Sequence, residues 1–140
     1  PRVRVSLMPQ ESSNILEPKM QKISSRIDDI NRLKDLGWEV HLNYSPLVFY
    51  PGWSKEYESL FKEVKEKAGE NKCEVIALTN HVHQMNRSSE EARELMKYSD
   101  EIKNGNGIMR YPIRQKTRAL ANFKMIYSKY FNLQTIRYIF

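Results

Sequence analysis

The chain has 140 residues, 40% hydrophobic and 29% charged, which fits one soluble globular unit and excludes a disordered tail, a collagen-like repeat or a disulfide framework. Lys and Arg number 23 against 17 Asp and Glu, a net charge of +6, and that surplus favours an anionic partner without naming it. The single cysteine, Cys73, can form no intramolecular disulfide and has no partner for a zinc knuckle or an iron–sulfur site, so a cytoplasmic setting is expected.

Val3, Val5 and Leu7 alternate with polar residues, the period of a half-buried strand, and Pro9 ends it. Ile23, Ile27, Ile30, Leu33 and Leu36 recur at helical steps, with Gly37 where a helix-terminating glycine belongs. Residues 38–44 follow as a strand. Pro46 and Pro51-Gly52 set off Leu47 to Tyr50 as either a short continuation strand or a packed loop. A second amphipathic helix starts at Ser54 and ends near Gly69, burying Tyr57, Leu60, Phe61 and Val64. Residues 73–79 are the third strand, uninterrupted from Val75 to Leu78 like strands buried on both faces. Ser88 and Glu91 make a capping box for a short helix through Met96. This order of strand and helix predicts a parallel sheet with right-handed crossovers. Such a half-sheet leaves a bare edge, and more barrel from residues upstream of Pro1 is the simplest cover. The chain enters its first strand without an initiating Met, so it is expected to be a piece of a longer protein.

Residues 102–140 change character, with eight basic residues and no Asp or Glu, whereas residues 1–101 carry 15 positive and 17 negative charges. Asn104-Gly105-Asn106-Gly107 is a strong turn signal, and its flanks Ile102-Lys103 and Ile108 to Tyr111 can pair as a hairpin. Lys103, Arg110 and Arg114 are candidates for phosphate contacts, and Tyr111 offers a flat face to a displaced nucleotide. The alternative is a solvated basic hairpin with Tyr111 packed against the helix that follows. That helix spans about residues 115–131, with Lys116, Arg118, Lys124 and Lys129 set against a core face of Phe123, Ile126, Tyr127, Tyr130 and Phe131. Residues 135–140 close the chain as a strand. His81 and His83 could share an ion only with a third ligand of unknown position, so no metal site is expected. Trp38 and Trp53 read as packing residues. No apolar run nears the roughly 20 residues that span a bilayer.

Arg2 to Gln10, Gly37 to Pro46 followed by Gly52-Trp53, Cys73-Glu74-Val75-Ile76 and the ending Ile136 to Phe140 together resemble the C-terminal part of the spore photoproduct lyase family of radical SAM proteins. The resemblance runs in order along nearly the whole chain. It implies an α/β fold, part of a TIM-like (β/α) barrel over residues 1–101, with residues 102–140 as a DNA-contacting extension of hairpin, long helix and closing strand. It also implies a DNA-repair lyase that binds S-adenosylmethionine and a [4Fe–4S] cluster, and reverses a thymine dimer through a 5′-deoxyadenosyl radical. Cluster binding in that family needs three cysteines in a CxxxCxxC loop, so the catalytic half is expected upstream and this segment alone is not expected to turn over. Cys73 does not take the family's radical-quenching role, which also lies upstream.

Ser6 and Ser45 stand at or just past strand ends, where barrel enzymes gather ligands, and by resemblance both line the cofactor pocket. Gln10 and Asn43 are polar at similar depth. The expected partners are damaged DNA and the missing half of the same barrel, with no membrane and a monomer when complete. Two other readings stay open: a non-catalytic nucleic-acid-binding module from a truncated or split gene, and a radical SAM relative acting on another substrate.

Overall fold

Alternation of Val3, Val5 and Leu7 with Arg2, Arg4 and Ser6 produces strand β1 (Arg2–Leu7), whose apolar side faces the helices. The computed structural model describes residues 1–81, 89–96, 100–101 and 108–140, with the backbone alone at 79–81, 100–101 and 108–110. Helix α1 (Gln10–Leu16) follows β1 directly and was not expected, because Ser12, Ser13 and Asn14 are weak helix formers with no apolar period. Tertiary contacts hold it: the Ser12 hydroxyl lies 2.5 Å from that of Tyr50, and Gln10 Oε1 accepts the Ile23 N–H at 2.8 Å. The Gln10 amide also donates to Asn14 at 2.7 Å, so its side chain is engaged in structure.

Helix α2 (Ile23–Asp35) buries Ile23, Ile27 and Ile30 as its spacing requires, and the chain reverses after it at Gly37, whose φ of 92° disfavours any other residue. Strand β2 (Glu39–Leu47) runs three residues past the expected end, so Leu47 belongs to the strand and Val48 to Tyr50 form a buried loop. Helix α3 (Trp53–Ala68) and strand β3 (Cys73–Ala77) complete the second crossover.

All pairings in this sheet are parallel, and its order is β1-β2-β3-β7, with β7 (Ile136–Ile139) arriving from the chain's last residues. The β2–β3 register shifts between Tyr44 and Leu47. Neither outer strand, β1 nor β7, has a second partner among the described residues. The expected part of a (β/α) barrel is seen here as an α/β layer of four parallel strands with helices packed on it.

Between β3 and β7 the chain builds a second sheet. Strand β4 (Thr79–His81), helix α4 (Glu90–Met96), and strands β5 (Asp100–Glu101) and β6 (Ile108–Arg110) follow, with β6 antiparallel between β4 and β5. Asp100 pairs with Arg110 and Glu101 with Met109 in antiparallel fashion, while the expected arm Ile102-Lys103 and the turn at 104–107 lie outside the described residues. Of β4, the expected strand over residues 73–79 takes in only Thr79, which here begins a separate strand. Ser89 caps α4, accepting the Ala92 N–H at 3.1 Å, and the expected cap Ser88 lies outside the described residues. The boundary expected after Glu101 falls between the paired strands β5 and β6, and β7 beyond it returns to the parallel sheet.

Helix α5 (Ile113–Ser128) then lies against the helix-covered face, and a 3-10 turn (Leu133–Thr135) leads into β7. Phe123, Ile126 and Tyr127 of α5 join Tyr44, Tyr57 and Phe61 in one aromatic-rich core. Of the expected core aromatics, Phe123, Tyr127 and Phe131 are buried, whereas Tyr130 is only partly buried and turns its hydroxyl to Glu58. No helix among the described residues is long and apolar enough to cross a membrane.

Candidate functional site

Because side chains alternate along a strand, burying Val40, Leu42 and Tyr44 under the helices turns His41, Asn43 and Ser45 to the opposite face. Register extends that polar face across the sheet. Arg4 pairs opposite His41, Ser6 opposite Asn43, and Asn43 opposite Glu74. Ser6 and Ser45 thus share one face toward the C-terminal ends of adjacent strands, separated by the Asn43 step. Ser6 is exposed and Ser45 partly so. Asn43 Oδ1 is buried and has no hydrogen-bond partner among the described residues, an unmet acceptor on the same face. Beside β1, a groove of about 310 Å³ is bordered by Val3, Arg4, Ser6, Gln21 and Arg26.

One layer nearer the strand starts, the sequence reading missed the strongest electrostatic feature. Glu74 is fully buried, and its Oε1 accepts Arg4 Nε at 2.8 Å, with Arg137 Nη1 at 3.6 Å. Arg137 Nη1 also lies 3.2 Å from His41 Nδ1, while His41 Nε2 lies 3.0 Å from Glu39 Oε1. An arginine can only donate, so Nδ1 accepts and Nε2–H donates to Glu39. That assignment explains why Glu74 Oε2, 3.5 Å from Nδ1, receives no hydrogen bond among the described residues. The His41 hydrogen bond, with the Arg2 charge nearby, holds the Glu39 carboxyl below its usual range. Glu74 stands just before the apolar run Val75 to Leu78, and only strand pairing brings its cations to it.

The nucleotide-contact candidates fare unequally. Lys103 lies outside the described residues, and of Arg110 only the backbone, in β6, is described. Arg114 is exposed in the first turn of α5. Tyr111 requires a correction. Its ring is 2% exposed and packs 4.7 Å from that of Phe49, so it presents no free face to a base. Its hydroxyl accepts the Phe49 N–H at 2.8 Å, and burial pushes its pKa up to about 12. The alternative reading of a packed Tyr111 is nearer, although the partner is the loop after β2 rather than the long helix. Tyr111→Phe should keep the packing but orphan a buried N–H, costing about 1–3 kcal/mol. Urea unfolding reads that loss, and faster amide exchange at Phe49 locates it.

Cys73 lies on the helix-facing side, donates to the Tyr127 hydroxyl at 3.4 Å, and is pushed by burial up to about 11. A buried, protonated thiol with no thiol neighbour does not suit an iron–sulfur cluster. Among the described residues no group of three or more His, Cys, Asp or Glu could hold a metal ion.

No protein-family profile and no curated protein matches the sequence. Solved structures do. A spore photoproduct lyase variant with bound AdoMet and dinucleoside spore photoproduct superposes with a TM-score of 0.78 at 15% identity, over 99% of this chain and 43% of that chain. Spore photoproduct lyase complexed with the dinucleoside gives the same values. A further variant gives a TM-score of 0.76 at 16% identity over the same shares. The chain has the α/β fold of part of spore photoproduct lyase. It spans less than half the length of those proteins, and at this identity the likeness is one of fold.

Proposed function

We propose that the chain is the C-terminal segment of a spore photoproduct lyase-like radical SAM enzyme that repairs a thymine dimer in DNA, with its cluster-binding half supplied by residues outside these 140. The observation that carries this reading is the superposition on almost the whole chain, 99%, of a lyase structure that holds AdoMet and dinucleoside spore photoproduct. The polar sheet face supports it. The Ser6 and Ser45 hydroxyls and the unmet Asn43 acceptor stand toward the C-terminal strand ends, where a (β/α) barrel binds its ligands. These residues suit the polar groups of S-adenosylmethionine, which would supply the radical chemistry when bound. The chain's own residues would bind and orient it. Cys73 does not fit the cluster, so no step is assigned to it. Lys103, Arg110 and Arg114 would hold the DNA backbone on the hairpin side, and Tyr111 would fix the loop after β2 instead of stacking on a base.

The test is turnover by the parent protein carrying this segment, reconstituted with iron and sulfide, S-adenosylmethionine and a reductant. Release of thymidine units from synthetic dinucleoside spore photoproduct, read by chromatography, is the expected result. An intact cluster seen by electron paramagnetic resonance, with AdoMet bound but no dimer cleaved, would move the protein to a relative with another substrate.

A further inference from the structure

Helix α5 departs from the electrostatics of the rest of the chain. The positive end of a helix dipole favours anions, and α1, α3 and α4 accordingly carry Glu11, Glu56 and the pair Glu90 and Glu91 in their first turns. Helix α2 has Arg26 near its start, but Glu17 neutralises it at 2.8 Å. The first turn of α5 has no acidic residue and instead holds Arg114, with Arg118 one turn further on. Downstream cations are paired: Lys129 with Glu58 at 3.5 Å and Arg137 with Glu74 at 3.6 Å. Arg114, Arg118 and Lys124 are exposed and have no such partner among the described residues.

Their placement is coherent. At about 100° per residue the three fall within a sector of about 120°, on the side away from buried Phe123, Ile126 and Tyr127. Arg114 to Lys124 spans about 15 Å of axis, a length that faces several phosphates of a duplex at about 3.4 Å per strand step. Residues 102–140 contain no Asp or Glu to offset the stripe. An anionic bilayer fits less well, because a membrane-bound helix inserts its apolar side, and that side of α5 is committed to the core.

We propose that the outer face of α5, carried by Arg114, Arg118 and Lys124, tracks the phosphate backbone of duplex DNA irrespective of any lesion. This rests on the DNA-binding part of the function proposed above, but not on its lesion or its chemistry. The face extends the contact surface from the hairpin along a rigid element, and cations left unpaired at the positive end of a helix are neutralised when phosphates arrive.

The experiment is fluorescence anisotropy with a labelled, lesion-free duplex of about 20 base pairs, titrated at salt concentrations from about 50 to 200 mM. The variant Arg114→Ala/Arg118→Ala/Lys124→Ala is compared with a charge-matched control, Lys34→Ala/Lys55→Ala/Lys62→Ala, whose residues are exposed on other helices. Circular dichroism melts check that both fold. The α5 variant should bind at least about tenfold more weakly at low salt, and the slope of log K against log salt should flatten by about 2.7, or 0.9 per lost phosphate contact. The control should keep the wild-type slope. Equal weakening in both variants overturns the proposal, as does a wild-type slope in the α5 variant, no duplex binding by the wild type, or binding confined to phosphatidylserine vesicles. Equal affinity for lesion-containing and lesion-free duplexes, without turnover, would defeat the repair reading and leave the α5 result standing.

Discussion

Replacing Arg4 and Arg137 together by alanine should cost about 3–5 kcal/mol, the penalty for leaving a buried charge without its partners. Glu74 is 0% exposed, whereas the Arg4 and Arg137 side chains are 50% and 36% exposed. The cost is therefore asymmetric. Glu74→Gln lets both arginines turn to water and should lose only about 1.5–3 kcal/mol, the value of a hydrogen bond to a charged group. Adding Glu74→Gln to the double arginine variant should recover stability, because a neutral amide needs no cation. Urea unfolding of the four proteins decides the matter. If the double variant is no less stable than Glu74→Gln, the carboxylate is not held as described. The network also explains how the opposite face of the sheet tolerates charge: Glu74 anchors β1 and β7 from β3, and His41 hands the contact on to Glu39 at the start of β2.

Phe61→Ala should be as damaging, at about 3–5 kcal/mol, by loss of transfer energy and the cavity left behind. The ring is 0% exposed and is met by Tyr127 at 5.3 Å, Tyr44 and Phe123 at 5.4 Å, Tyr57 at 5.9 Å and Phe131 at 6.1 Å. It joins α3 to β2 and to α5, so its removal loosens the helix layer at the point where three elements meet. Phe140→Ala removes the same ring at a site 61% exposed and should change stability by less than about 0.5 kcal/mol. Unfolding midpoints measured at equal denaturant slope give both numbers, and similar values for the two would contradict the packing.

The elements legible in sequence were those whose own period reports burial. Val3, Val5 and Leu7 mark β1, the isoleucines mark α2, and Tyr57, Leu60, Phe61 and Val64 mark α3. Helix α1 was illegible because its helicity comes from contacts with Tyr50 and Ile23, not from its serines. Strand β4 was illegible because three residues carry no period, and its partner β6 lies far along the chain. The site divides the same way. Ser6 and Ser45 could be placed from strand ends, but Glu74 is 70 residues from Arg4, and no local pattern foretells that meeting. Tyr111 beside two basic residues looked like a base platform. Its true neighbour, Phe49, is 62 residues away.

Inserting the small antiparallel sheet between β3 and β7 has a consequence in chain entropy. Cys73 pairs with Ile136 across about twice the length of chain that joins β2 to β3, yet doubling a loop adds only about 0.6 kcal/mol to the cost of closing it. The segment between β3 and β7 is therefore nearly free to lengthen or shorten without unseating β7, provided that Tyr111 still reaches Phe49 and α5 still covers the core. The parallel strands and the basic extension can diverge at different rates.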